Sequence, residues 1–130
     1  MGTQTEHHCQ ACGTSFVIQE GGGSFFDLLH CDRCGRGRSV GHDEMGDIHL
    51  GYIKGLDRPY SIVRAESDEQ IRREYPGEAI TENEYRAAVE QLVGSCDCGG
   101  LFRYDAPSRC PGCGSTGEQW SDGTEIVIYD

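Results

Sequence analysis

Eight cysteines arranged as four close pairs constrain this chain more than any other feature: Cys9/Cys12, Cys31/Cys34, Cys96/Cys98 and Cys110/Cys113. A disulfide scaffold scatters its cysteines to bridge distant loops, whereas a C-x-x-C pair sets two thiolates on one tight turn where both reach the same ion. The residue after the second cysteine of every pair is glycine: Gly13, Gly35, Gly99 and Gly114. In a metal knuckle the chain turns sharply there, commonly through positive φ, and glycine does so without steric cost. Two knuckles supply the four thiolates of one tetrahedral site, so the eight cysteines provide for two ions.

Zinc is the expected metal, with iron as the less favoured alternative, since four thiolates also hold redox iron. Chain order suggests that Cys9, Cys12, Cys31 and Cys34 form one site and Cys96, Cys98, Cys110 and Cys113 the other, because 34 to 96 is the longest gap. Crossed pairing of the knuckles stays open. Cys96 and Cys98 are one residue closer than a usual knuckle, yet residues i and i+2 of an extended segment share a face.

The stretches CQACG (Cys9–Gly13), CDRCG (Cys31–Gly35) and CPGCG (Cys110–Gly114) resemble the knuckles of zinc ribbons and rubredoxin-like proteins. The resemblance covers residues 7–38 and 95–130, and the arrangement is also similar to small uncharacterised bacterial proteins with two ribbons. It implies metal-bound antiparallel hairpins, and because ribbons serve many tasks it implies little about function.

Apolar material is scarce. Of 130 residues 36% are hydrophobic and 19 are glycine, so metal is expected to take over part of the work of a core. No apolar run is long enough to cross a bilayer and none near the start reads as a signal segment, which points to a soluble, cytoplasmic protein without a membrane partner. Acidic residues outnumber basic ones 22 to 11 for a formal charge of -11. That charge disfavours non-specific nucleic-acid binding by the whole chain.

The expected fold is a small metal-stabilised α+β unit. It comprises an N-terminal zinc ribbon over 1–40, a helical insert over 41–94 and a C-terminal zinc ribbon over 95–130, packed together. Residues 15–20 (SFVIQE) and 25–30 (FFDLLH) read as a hairpin turning at Gly21-Gly22-Gly23-Ser24. Residues 100–104 and 124–129 read as strands, with a last hairpin turning near Ser121-Asp122-Gly123. In the insert, 42–55 carries Met45, Ile48, Tyr52 and Ile53 on one side of a helix. Ser67 with Gln70, and Thr81 with Glu84, read as capping boxes of two more helices, the second ending at Gly94.

Four-thiolate zinc is coordinatively full, which points to structural ions and away from catalysis at the metal; no catalytic residue is assigned. The chain also lacks the phosphate-cradling and nucleophile-elbow motifs. His42, Asp43, Glu44, Asp47 and His49 cluster within eight residues and could build a third metal or acid–base site, although a polar helix surface is the plainer expectation. His7, His8 and His30 flank cysteines as spare ligands or supporting donors. Arg33, Arg36 and Arg38 form an acid-free basic cluster, a candidate contact for nucleic acid, an anion or an acidic partner loop. The leading expectation is a protein-interaction or adaptor module with structural zinc, its partner meeting the helical insert or the aromatics Tyr52, Tyr60 and Trp120. A nucleic-acid-associated ribbon acting through the three arginines is the alternative.

Overall fold

A computed structural model of the chain describes residues 2–58, 60, 62–121 and 124–129. Its β-strands are β1 (Gly2–His8), β2 (Ser15–Glu20), β3 (Phe26–Cys31), β4 (Gly37–Gly41), β5 (Phe102–Arg103) and β6 (Thr124–Tyr129). Helices α1 (His42–Met45), α2 (Asp47–Gly55), α3 (Ala65–Glu74) and α4 (Glu82–Val93) lie between β4 and β5. The strands form two three-stranded antiparallel sheets, ordered β2-β1-β6 and β4-β3-β5.

The first two knuckles are themselves hairpin turns. The first knuckle folds β2 back on β1, pairing His8 with Ser15, and the second folds β4 back on β3, pairing His30 with Gly37. The expected hairpin between residues 15–20 and 25–30 is therefore corrected: both segments extend as strands, but they belong to different sheets and the glycine-rich link carries the chain from one to the other. The pairing follows from hydrogen bonding within the knuckles, which join consecutive strands before any longer loop can. β6 pairs with β1 in the first sheet, while the turn expected at Asp122-Gly123 lies outside the described residues.

The sheet β4-β3-β5, the inner of the two with β2-β1-β6 the outer, and the helices enclose the larger core, built from Leu29, Cys31, Val40, Met45, Tyr85, Val89, Cys96 and Phe102. The outer sheet covers a smaller one of Cys9, Phe16, Ile18 and Cys110, with Trp120 packed against it.

The helix expected over 42–55 is two helices, broken at Gly46, where φ is 58°. The glycines on α2 serve close packing: a Cβ at Gly55 would lie 2.8 Å from the Ile80 carbonyl oxygen, and the Gly51 carbonyl accepts the Ile80 N–H. α3 begins at Ala65, so Ser67 is inside it and does not cap it. The start is set by tertiary contact instead, since the buried Asp68 carboxylate accepts the Tyr60 N–H at 2.8 Å. The second capping box forms as expected: the Thr81 hydroxyl accepts the Glu84 N–H and the Glu84 carboxylate accepts the Thr81 N–H.

Candidate metal centres

The cysteines assemble in nested order. Cys9, Cys12, Cys110 and Cys113 form an outer quartet, and Cys31, Cys34, Cys96 and Cys98 an inner one, the sulfurs within each lying within 4.8 Å of one another. This corrects the sequential pairing expected from interval lengths. Those intervals counted residues along the chain, but pairing is decided by which knuckles end on the same sheet. β5 lies on β3 and brings the third knuckle to the second; Cys9 bridges to Trp120 and β6 lies on β1, which brings the fourth to the first.

Close sulfur pairs are Cys9–Cys113 at 3.7 Å, Cys12–Cys110 at 3.6 Å, Cys31–Cys98 at 3.4 Å and Cys34–Cys96 at 3.7 Å. A tetrahedron with metal–sulfur bonds of about 2.3 Å has edges of about 3.8 Å. A disulfide needs about 2.05 Å, and all eight cysteines are free. The spacing therefore fits one metal ion in each quartet.

The knuckle backbones are equivalent. The N–H of the first cysteine reaches across its loop in three of them: Cys9 to the Thr14 carbonyl, Cys31 to Arg36 and Cys110 to Ser115. In the shorter third knuckle Cys96 reaches Gly100, so losing one residue keeps the same closure. The glycine after each pair has φ between 77° and 93°, as the sequence pattern required. Backbone N–H groups also point at sulfur: those of Arg33 and Cys34 at Cys31 Sγ, and that of Gly112 at Cys110 Sγ.

Without a cation, the four thiols of a quartet compete for charge. The Ser115 hydroxyl draws Cys9 down to about 6, against the effect of burial. Burial pushes Cys110 up to about 11, and hydrogen bonds shared with Cys12 and Cys9 add to the rise. In the inner quartet Cys31 is lowered to about 7 because N–H donors outweigh burial, while Cys34 rises to about 12 as burial and neighbouring sulfurs overcome the Arg36 N–H. A divalent ion removes this conflict by stabilising all four thiolates together.

The histidines fall outside both quartets. His7 Nδ1 meets the Ser121 carbonyl, His8 Nδ1 the Ser15 hydroxyl, and His30 Nε2 the Ser108 hydroxyl. His42 and His49 are buried, not a polar helix surface: their rings stack at 4.1 Å and 13° between planes. Near-parallel rings direct their lone pairs into separate planes, so one ion cannot lie in both, and no third metal group forms among the described residues.

They belong instead to a polar core centred on Asp27. Its carboxylate accepts hydrogen bonds from His42 Nε2 at 3.3 Å, Tyr60 at 3.1 Å, Tyr104 at 2.6 Å and the Tyr85 hydroxyl. Burial alone would raise the Asp27 pKa, but these donors, led by His42, hold it at about 2. The same burial, with the Asp27 charge beside them, raises the pKa of Tyr60, Tyr85 and Tyr104. His49 is held down at about 4 by burial, reinforced by His42 and Arg64. Sequence reasoning passed over Asp27 because a lone acid inside a strand segment has no motif; the one available signal was an acid at an alternating core position of FFDLLH.

The arginine cluster is largely engaged internally. Arg33 donates to the Cys98 carbonyl, Arg36 faces Asp97 at 3.6 Å, and Arg38 pairs with Glu44. Tyr52 and Tyr60 are half-buried, Tyr52 stacking on Tyr85, and Trp120 packs edge-on against Phe16. The three aromatics expected to meet a partner thus make contacts within the fold.

These features define a small α+β protein with two four-cysteine groups that could each hold a metal ion, and among the described residues no helix is long and apolar enough to cross a membrane. The chain belongs to the family described as Domain of unknown function (DUF8255), which it matches over residues 5–119. No curated protein and no solved structure matches it.

Proposed function

We propose that both quartets hold zinc as structural ions and that the chain is a metal-ordered module presenting a rigid surface to a protein partner. The observation that carries this reading is that each quartet is complete. Four cysteine sulfurs surround one point, leaving no position for water or substrate and so no role for the ion in catalysis. The stretches 1–40, 41–94 and 95–130 are read as parts of one unit, because each quartet takes one pair from the first stretch and one from the last. A reducing compartment such as the cytoplasm suits eight unoxidised cysteines.

A protein partner is favoured over nucleic acid by charge. Glu44 holds Arg38 and the Cys98 carbonyl takes Arg33, which leaves Arg36 with only a loose surface contact to Asp97, so the cluster offers no array of free cations to a polyphosphate chain that a formal charge of -11 repels along its whole length. The test is metal analysis of tag-free protein followed by cross-linking in its own cells, before and after chelation. Two zinc equivalents and metal-dependent protein cross-links are expected. A red protein carrying iron overturns the zinc assignment. Micromolar binding to RNA or DNA at about 150 mM salt, lost when Arg33, Arg36 and Arg38 become alanine with metal content unchanged, overturns the protein-partner reading.

A further inference from the structure

The outer sheet has an open edge. In antiparallel pairing, alternate residues of β2 turn their N–H and C=O toward β1. The Cys9 N–H is donated to the Thr14 carbonyl, so with the register His7–Phe16 and Thr5–Ile18 the backbone groups of Phe16, Ile18 and Glu20 face β1. Those of Ser15, Val17 and Gln19 face outward, where β2 has no neighbouring strand among the described residues.

This edge opens into a cleft of about 530 Å³ between the two metal units, lined by β2, the second knuckle and the start of the fourth. Val17, Ile18 and Pro111 give it apolar wall, and Arg36 and Arg109 give it charge. No aspartate or glutamate is among its described lining residues, although acids outnumber bases two to one in the chain. Arg109 donates one N–H to the Gly114 carbonyl, has no carboxylate partner among the described residues, and keeps a buried Nε–H with no acceptor. Among the described residues Arg36 meets only the almost fully exposed Asp97, a surface pair that exchanges readily.

We propose that this cleft takes an extended acidic segment of a protein partner, which adds as a further strand on β2 and sets its carboxylates on Arg36 and Arg109. An exposed sheet edge supplies main-chain hydrogen bonds to any extended peptide, and the flanking side chains supply the selection. The guanidinium fork matches a carboxylate, and the cleft has room for a short extended segment. The assignment rests on the interaction-module reading and names the partner chemistry for it.

The test uses the metal-loaded full chain and three fluorescent probes: a peptide of alternating valine and glutamate, its valine–lysine counterpart, and a single-stranded oligonucleotide. The acidic peptide should bind, should slow amide hydrogen exchange at Val17 and Gln19, and should weaken at least about tenfold with Arg109→Ala. Because Arg109 also supports the fourth knuckle, Arg36→Ala on the exposed rim is the companion variant, and weaker binding at unchanged zinc content is expected. Equal binding of the lysine peptide, preference for the oligonucleotide, protection away from β2, or indifference to both arginine variants overturns the assignment. If the acidic peptide fails while metal-dependent cross-links to a cellular partner fall on another face, the cleft alone is overturned. If neither peptide nor partner binds, the module reading falls with it.

Discussion

Around the outer quartet the buried core side chains among the described residues are Cys9, Cys110, Phe16 and Ile18, so half of that core consists of cysteines of the quartet itself. Around the inner quartet, Cys31 and Cys96 share a core with Leu29, Val40, Met45, Tyr85, Val89 and Phe102, and Asp27 adds a polar network tying β3 to α1, α4 and the segment after β5. The knuckles are alike and their support is not. A metal site embedded in apolar packing shares the work of folding, whereas one at the edge of a thin core carries nearly all of it.

The largest expected effect separates the two centres. Structural zinc contributes apparent free energies of about 10–16 kcal/mol. Cys110→Ser should therefore release one metal equivalent, expose Cys9 and Cys12 to thiol reagents and abolish exchange protection in β1, β2 and β6, while α4 keeps its protection. Loss of protection in α4 as well would show that the inner core cannot stand alone. Retained protection in β1 and β2, with Cys9 and Cys12 still unreactive, would return the pairing to chain order.

Next come the knuckle glycines. Gly13→Ala meets nothing within 4 Å and carries only the strain of a left-handed backbone, about 1–2 kcal/mol. At Gly35 a Cβ would lie 2.5 Å from the Arg109 Cβ and 2.6 Å from its backbone nitrogen, because there the two metal units touch. Gly35→Ala should cost clearly more, read as a larger fall in the denaturation midpoint; equal costs would mean that the contact gives way easily.

The polar core predicts a pH response on the inner side. With its folded pKa at about 4 against 6.5 unfolded, His49 contributes stability that is complete above about 6.5 and is lost as pH falls toward 4. Between pH 7 and 5 that loss is about 2 kcal/mol, and His49→Gln should remove it from the difference between the two unfolding curves. Asp27 acts lower, its contribution fading between about 4 and 2. An unchanged pH difference in His49→Gln would assign the acid sensitivity to the metal ligands. The smallest effect is local: Thr81→Ala removes a working capping box and should cost about 1 kcal/mol, without altering metal content.

The grouping of the cysteines into close pairs, the glycine turns and the capping of α4 were legible because each depends on neighbours within a few residues. Segments 15–20 and 25–30 were recognisable as strands for the same reason. Their partners were not, since alternation fixes which face is buried and is silent on which strand lies alongside. Ser67 mimicked a cap because the sequence could not disclose that Asp68 would be drawn inside by the Tyr60 amide. The Asp27 network was hidden for a similar reason: its donors lie 15, 33, 58 and 77 residues away and meet only in the finished fold.

Nesting also sets an order of assembly on the ribosome. The inner quartet needs the chain only as far as Cys98, whereas the outer one must wait for Cys113, so Cys9 and Cys12 are made before the other six and are among the last to be enclosed. Until then they are exposed to oxidants and to stray metals. The inner centre shortens that wait in conformational terms, for once the second and third knuckles are joined, the outer pairs close a short remaining loop instead of one spanning about 100 residues.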